Sequence, residues 1–452
     1  MRRVLTACLA ALVLSACGAP PPAARNAVPA APDLPPMRRF AAMPADPPRR
    51  SNAEMAQDFM DLSFNLESGR SVPVFTRFEG PIRVRMTGAP PATAAGDLGR
   101  LLARLRSEAG LPITAARPDE PAEITVEFLP RQTMQRLVPR AACFVAPRVS
   151  SWDGYRRASR ASLDWATLKV RDQAAIFVPN DTAPQEVRDC LHEELAQALG
   201  PLNDLYRLPD SVFNDDNIHT VLTGFDMLML RATYAPGLRS GMTAGAVAER
   251  LPDILAAINP RGERGPAPMP DPTPRAFVDA IETALGPGAS GARRRAAAAS
   301  AVRIAEERGW QDARAGFAWL ALGRLSLGHD RAASRAAFTR AAAIYAGRPE
   351  LALQSAHADM QLAAFALSDG DARTALDLTA RAAPLAAHAE NAALLASLLM
   401  VRSAALDLVG RASEARAVRI DSLAYARYGF ASETEVRARF ANIAALSPVN
   451  RR

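Results

Sequence analysis

The chain has 452 residues, of which 49% are hydrophobic and 22% are charged, and its formal net charge is +7. Lys169 is the only lysine, so arginine carries nearly all of the positive charge, and the basic residues are dispersed among acidic ones. No arginine-rich run with interleaved aromatic residues occurs, which argues against nucleic acid as a partner. The length is enough for two domains with hydrophobic cores of their own.

Residues 1–17 have the layout of an export signal. Two arginines precede the short apolar run 4–14, and small residues come directly before Cys17. The run is too short to span a bilayer, so we expect it to be cleaved. The cleavage site resembles the lipobox of bacterial lipoproteins, which implies that Cys17 is acylated and anchors the protein in a membrane. Gly18 follows where an aspartate would imply the inner membrane, so the resemblance implies the periplasmic face of the outer membrane.

The next segment, residues 18–54, is rich in proline and alanine and has few large apolar residues. Burial of such a segment cannot offset its ordering entropy, so it is predicted to be a flexible or semi-rigid tether. No later run of eighteen apolar residues occurs, and no second segment is expected to cross a membrane.

Residues 55–257 show mixed helix and strand patterns. The pattern predicts the order strand, helix, strand, strand, strand, helix, which favours an α+β domain. The predicted strands lie at 82–86, 122–129, 143–149 and 174–178, and the predicted helices at 96–109, 184–199 and 223–234.

Two of the four cysteines remain available for pairing. Cys8 leaves with the signal and Cys17 is the acylation site, so Cys143 and Cys190 are left in an oxidising compartment. A disulfide between them is the expected state, and two buried free thiols are the alternative.

After a proline-rich linker predicted at 258–289, residues 290–452 contain alanine, leucine and arginine with hardly any strand signal. Gly328, Gly370 and Gly410 fall at predicted helix breaks about forty residues apart. This period resembles tetratricopeptide-type helical repeats, which stack helix pairs and offer a broad surface to partners. An irregular helical bundle is the alternative.

The most informative motif is His-Glu-Glu-Leu-Ala-Gln-Ala-Leu-Gly at residues 192–200. The HExxH motif of zinc proteases places two histidines at i and i+4 on one helix face and uses the intervening glutamate as general base. In the frame that starts at His192, the second ligand position is Ala196, which has no donor atom. That frame cannot form the usual zinc site.

A frame shifted by one residue matches the metzincin pattern more fully. Glu193 and Gln197 take the two ligand positions, and Glu194 takes the position of the general base. Asn203 falls at the third ligand position, and Asp204 follows it.

Residues further along extend the resemblance. The segment 211–213 is similar to the Met-turn with Phe213 in place of methionine, and residues 222–234 are similar to the closing helix of the matrixin branch. The resemblance covers about 75–240 and implies a zincin-like domain whose ligands have been replaced. The HEExxQALG motif is also similar to a family of putative proteobacterial lipoproteins without an assigned function.

Three interpretations of this site stay open. The first is a metal-free cleft without a cofactor. The second is a weakly bound divalent ion such as Ca²⁺ or Mg²⁺, which would suit the oxygen donors of Glu193, Gln197, Asn203 and Asp204. The third is a purely structural role for these side chains.

Two neighbouring features have competing interpretations. His192 either acts as an acid or base at the cleft or is a core histidine bonded to backbone. The run 214–217, Asn-Asp-Asp-Asn, suggests calcium by composition but lacks the spacing of a calcium loop. Its expected role is to cap the next helix.

The leading hypothesis for function is an envelope lipoprotein with a non-catalytic zincin-like domain for binding and scaffolding. Its helical repeats would bind another envelope protein. The alternative is a metal-dependent peptidase or cell-wall hydrolase with Glu194 as general base and His192 as a further acid or base. Whether the protein is an enzyme is left open by the sequence.

Overall fold

The computed structural model describes residues 33–41, 43–263 and 271–451. The predicted signal 1–17, with the acylation site Cys17, lies outside the described residues. Within the described part of the chain, no helix is long and apolar enough to cross a membrane. An α/β region comes first, and a largely helical region follows it.

The α/β region is built on one five-stranded sheet. Its strands are Ile82–Gly88 (β1), Ile113–Ala115 (β2), Ile124–Leu129 (β3), Phe144–Pro147 (β4) and Ala174–Pro179 (β5). They lie in the order β2-β1-β3-β5-β4, and β4 at the edge runs antiparallel to the other four. The four predicted strands are confirmed, whereas the three-residue β2 was not predicted. Because four strands are parallel, the region is α/β rather than the predicted α+β.

Eight helices accompany this sheet in the described residues. They are Asn52–Phe64 (α1), Ala94–Glu108 (α2), Arg131–Gln135 (α3), Trp152–Arg157 (α4), Pro184–Leu199 (α5), Gly224–Thr233 (α6), Ala244–Ala248 (α7) and Leu251–Ile258 (α8). Helix α2 connects β1 to the parallel β2, and α5 follows β5. Helices α2 and α5 contact each other and pack on the sheet, so α5 is fixed against a rigid surface.

Strand β5 is buried on both faces, which explains its uninterrupted apolar sequence. Ile176 and Val178 belong to the core that includes α5, whereas Ala175 and Phe177 pack in a second core with Trp152. This alternation follows from the two-residue period of a strand. The start of α5 is thereby placed at the end of a fully buried strand.

The helical region contains nine helices within its described residues. They are Arg275–Leu285 (α9), Gly291–Glu307 (α10), Ala313–Ser326 (α11), Arg331–Tyr345 (α12), Ala352–Asp369 (α13), Ala372–His388 (α14), Ala392–Leu408 (α15), Ala412–Gly429 (α16) and Glu433–Ala444 (α17). Packing is most extensive within the pairs α11/α12, α13/α14 and α15/α16. Gly370 and Gly410, each inside such a pair, have a φ of 84° and 77°, which glycine adopts without strain. Helix α9 lies within the predicted linker and packs on α10.

Residues 33–41 and 43–50, which we call the strap, run along the surface of both regions. Phe40 stacks on Tyr425 of α16 at 5.2 Å, and Asp46 is 2.9 Å from His388 of α14. At its other end, Arg50 contacts Asp58 of α1 at 2.5 Å. The described part of the predicted tether is therefore bound to the folded body.

The two regions also share a core. The segment 203–223, between α5 and α6, contributes Tyr206, which packs against Phe277 of α9 and Phe317 of α11. The side-chain amide of Gln354 in α13 donates to the carbonyl of Pro209 at 2.5 Å. Part of the helical surface is thus occupied by the α/β region of the same chain.

Candidate functional site

Helix α5 carries the motif 192–200, and its carboxyl end is fixed by a buried arginine. The Arg171 guanidinium donates to the carbonyl oxygens of Gln197, Ala198 and Gly200 at 2.6, 2.7 and 2.5 Å. These carbonyls would otherwise lack partners at the helix end. Burial lowers the pKa of Arg171 to about 10, so the group stays charged at neutral pH. A cation at this end of a helix is also favoured by the helix dipole.

The edge strand β4 is tied covalently to α5. Cys143, directly before β4, forms a disulfide with Cys190, with the two Cα atoms 5.9 Å apart. The predicted pairing of these cysteines is confirmed. The bond holds the start of β4 beside the turn of α5 that carries His192, Glu193 and Glu194.

His192 is bonded to backbone and faces a group of arginines. Its Nδ1 accepts a hydrogen bond from the backbone N–H of Leu222 at 3.0 Å. Burial, followed by the charges of Arg188, Arg104 and Arg100, lowers the pKa of His192 well below its usual range. A neutral imidazole with one nitrogen engaged in this way is the arrangement expected of a core histidine.

The other imidazole of the α/β region is also engaged. The Nε2 of His219 lies 3.1 Å from the carbonyl oxygen of Pro209. Burial lowers the pKa of His219 below its usual range. In both His192 and His219, one ring nitrogen is therefore engaged by the backbone.

Carboxyl groups converge beside α5 instead. Glu193, Glu194 and Asp204 lie close enough to interact electrostatically with Glu67, which follows α1, and Asp215 acts on Glu193 and Asp204. We call these five residues the carboxyl cluster. Burial, followed by Asp215 and Glu67, raises the pKa of Glu193 to about 8. The same causes raise the pKa of Asp204 well above its usual range.

Glu194 lies at the base of the carboxyl cluster. Its side chain is 5% exposed, and burial and the charge of Glu193 raise its pKa well above the usual range. The backbone N–H of Val145 in β4 is directed at the carboxyl group. Among the described residues, Glu194 Oε2 has no hydrogen-bond partner. A buried carboxyl oxygen without a partner is costly and calls for a proton or a cation.

The predicted ligand set is only partly brought together. The side-chain amide of Gln197 donates to Asp204 Oδ2 at 3.3 Å, and Glu193 belongs to the same cluster. The Asn203 amide, in contrast, donates to the carbonyl of Asp61 in α1 at 3.1 Å. Asn203 thus joins the 203–223 segment to α1.

The segment after α5 is held by a buried aspartate. Asp226 of α6 accepts hydrogen bonds from the Ser211 hydroxyl at 2.5 Å and the Val212 N–H at 3.2 Å. Phe213, in the position of the Met-turn methionine, is fully buried in the core with α5. The expectation that residues 214–217 cap the next helix is wrong, because Thr223 caps α6. Asp216 Oδ1 instead accepts from the Ile218 N–H at 3.0 Å, within a turn.

Two members of the cluster were not predicted. Glu67 has no motif around it and reaches the site only through the position of α1. Asp215 belongs to the acidic run that was interpreted as a helix cap. Composition was the one signal for Asp215, and no sequence signal exists for Glu67.

The donor set does not suit zinc. Zinc prefers imidazole and thiolate, whereas both imidazoles of the region are engaged elsewhere and Cys143 and Cys190 form a disulfide. Among residues 33–41, 43–263 and 271–451, no group of three or more His, Cys, Asp or Glu side chains is arranged to hold a metal ion. The site offers carboxyl groups that interact electrostatically but do not form such a metal-binding group among the described residues.

Comparison with known protein families gives a match for the α/β region. Residues 52–253 match the model of a family described as a protein of unknown function, DUF2927. The matched range begins with α1 and includes the whole sheet, α5 and the carboxyl cluster. No curated protein and no solved structure matches the chain. The α/β region therefore corresponds to a domain of unknown function.

Proposed function

We propose that this protein is an envelope lipoprotein whose α/β region is a non-catalytic, zincin-like binding domain. The observation that carries this proposal is the engagement of His192 by the Leu222 backbone, which leaves the ligand positions of α5 with oxygen donors alone. A zinc-activated water needs at least one open coordination position on a firmly bound metal. Without such a metal, Glu194 has no water to activate.

The zincin-like assignment is supported by the placement of the motif. With the short β2 included, the main elements follow the order strand, helix, four strands, helix, which keeps the predicted order with one further strand, and α5 follows the last strand. Phe213 then packs beneath α5, and α6 follows where the closing helix is expected.

We further propose that the helical region is tetratricopeptide-like and acts as a scaffold. The pairing of α11 with α12, α13 with α14 and α15 with α16 supports this assignment. Because α11 and α13 contact the 203–223 segment, their surface there is used within the chain. A protein partner would then bind the outward surface, for example the face of α12 that carries Arg331, Arg335 and Arg340.

A metal and activity assay tests the non-catalytic proposal. The full-length protein, purified in detergent, is measured for bound metals and for hydrolysis of casein and peptidoglycan. The same measurements are made on Glu194→Gln and on Asp119→Asn, which removes an exposed carboxylate away from the site. We expect no stoichiometric metal and no hydrolysis. Metal at one equivalent, with hydrolysis that only Glu194→Gln abolishes, would establish the metal-dependent hydrolase instead.

Fractionation tests the proposed address on the periplasmic face of the outer membrane. The wild-type protein should sediment with outer membranes, and Cys17→Ala should be released from them. A Cys17→Ala protein that still partitions with membranes would contradict acylation as the anchor.

A further inference from the structure

The base of the carboxyl cluster differs from the other buried acidic sites of the α/β region. Asp58 of α1 is also buried, and it contacts Arg50 at 2.5 Å and Arg207. Asp226 is buried and accepts hydrogen bonds from Ser211 and Val212. Asp97 of α2 and Glu194 each have one buried oxygen without a hydrogen-bond partner among the described residues. The other oxygen of Asp97 pairs with Arg100, whereas no arginine or lysine in the described part of the chain pairs with Glu194.

The five members of the carboxyl cluster differ in their exposure to solvent. Glu67 and Asp215 are exposed, Glu193 and Asp204 are partly exposed, and Glu194 is buried. Asp204 Oδ1 is a second buried oxygen that receives no hydrogen bond from a donor group in the described part of the chain, and the Asp204 carboxyl lies within hydrogen-bond reach of Glu67. Both buried oxygens belong to carboxyl groups that interact with Glu67, which together with Asp215 forms the exposed acidic rim of the cluster.

The inner carboxyl groups of the cluster also lack an ion-pair partner, although the chain is basic overall and Arg275 acts electrostatically on Asp215. Lysine and arginine together number 54, against 47 aspartates and glutamates. Within residues 33–41, 43–263 and 271–451, no ion pair within 4 Å joins an arginine or lysine to Glu193, Glu194 or Asp204. Buried carboxylates are normally paired, so this site is complementary to a cation that the chain does not supply.

The geometry favours an organic cation over a metal ion. A divalent metal requires oxygens that converge at about 2.0–2.6 Å from one point, and no such group of carboxyl side chains exists among the described residues. A guanidinium group instead presents five N–H donors in a planar fork and can bond several separated oxygens. Gln197 cannot substitute for it, because its amide already donates to Asp204 Oδ2.

We propose that the carboxyl cluster binds the guanidinium group of an arginine side chain on a partner polypeptide, with Glu194 Oε2 and Asp204 Oδ1 as the inner acceptors. This inference rests on the proposed binding role and names its ligand. The partner chain would approach from the side of Glu67 and Asp215, and its arginine would extend toward Glu194. An arginine within a polypeptide carries no carboxylate of its own, which suits an acidic rim.

Calorimetric titration of the full-length protein in detergent tests this proposal. The probes are N-acetyl-argininamide, its neutral isostere N-acetyl-citrullinamide, free L-arginine and CaCl₂. We expect saturable binding of the argininamide, at least tenfold weaker binding of free arginine because its carboxylate meets the acidic rim, and no binding of the citrulline analogue. Equal binding of the citrulline analogue, tighter binding of free arginine, or saturable binding of Ca²⁺ would each overturn the proposal.

Variants locate the binding site. Glu194→Gln keeps the size of the side chain and should weaken argininamide binding at least tenfold, whereas Asp119→Asn should bind as the wild type does. Thermal melts followed by circular dichroism show that each variant is folded. A folded Glu194→Gln protein that binds normally would overturn the proposal. A wild-type protein without metal, hydrolysis or argininamide binding would overturn this inference alone and leave the non-catalytic assignment in place.

Discussion

The two halves of α5 differ in the partners of their charged side chains. Those of the first half contact groups of opposite charge, whereas those of the second half lie among other carboxyl groups. In the first half, Arg188 contacts Asp189 at 3.2 Å and Glu390 of the helical region at 3.6 Å. Gln185 donates to Asn391 at 3.2 Å. In the second half, Glu193 and Glu194 are repelled by other carboxyl groups.

Buried polar groups therefore have two different roles in α5, one in joining the two regions and one in the proposed binding site. Both halves are packed into the protein, so burial alone does not distinguish them. Pairing does, because a satisfied buried network fixes one arrangement of its elements. The first half of α5 joins the two regions, and the second half carries the carboxyl groups of the proposed binding site.

The largest expected effect on stability comes from breaking the ion pairs in the first half of α5. Arg188→Met removes a side chain that is 3% exposed and leaves Asp189 and Glu390 without their partner. Breaking a buried pair in this way typically costs about 3–5 kcal/mol of unfolding free energy. Urea denaturation followed by circular dichroism measures the change. Arg303→Met, which removes an exposed pair with Glu307, serves as the control. Equal effects of the two variants would refute the distinction.

The next effect on stability comes from the disulfide that links β4 to α5. Replacing both Cys143 and Cys190 with serine removes a bond that spans 47 residues of sequence. A loop of this size corresponds to about 2–4 kcal/mol of stability. Denaturation of the double variant should match that of the reduced wild-type protein. If reduction does not change the stability of the wild type, the disulfide has no such role.

A smaller effect is a pH dependence of the unfolding free energy, which arises from the second half of α5. The pKa of Glu193 is about 8 in the fold, above the value of about 4.3 for an unfolded glutamate. Its contribution to stability is therefore complete below pH 4 and is lost as the pH rises through 8. The unfolding free energy of the ligand-free protein should fall between pH 5 and 8.

Glu193→Gln should flatten this fall by about 2 kcal/mol, as measured by urea denaturation at several pH values. Asp119→Asn, at an exposed position, should leave the slope unchanged. A slope that both variants preserve would place the responsible group outside the carboxyl cluster.

The smallest expected effect tests whether Asn203 has a structural role or contributes to ligand binding. Asn203→Ala removes the hydrogen bond to the Asp61 carbonyl, which corresponds to about 1 kcal/mol. We expect argininamide binding to be unchanged. Loss of argininamide binding without a loss of stability would show that Asn203 is part of the binding site.

The local parts of this fold could be predicted from the sequence. The apolar run of β5 and the proline that begins α5 give strong signals over a few residues. The pairing of Cys143 with Cys190 was predicted by setting aside Cys8 and Cys17, which were assigned to the expected export signal and acylation site. The motif on α5 was found for the same reason, since its residues are neighbours on one helix.

What could not be predicted depends on contacts between distant segments. Glu67 and Asp215 meet Glu193 only because α1 and the 203–223 segment pack beside α5. Helix α9 was hidden by the prolines before it, although Phe277 and Ile281 form its buried face. The engagement of His192 by Leu222 also depends on a tertiary contact, so two uses of this imidazole stayed open at the sequence level.

The strap restricts how a shortened protein can be prepared. A truncation at residue 51 would discard the proposed acylation site but also the Phe40 ring and the Asp46 carboxylate, which contact α16 and α14. It would also uncover Gly224, where the chain passes so closely that a methyl group would collide with the Asp46 carbonyl. A water-soluble version that preserves the native junction should therefore begin before residue 33.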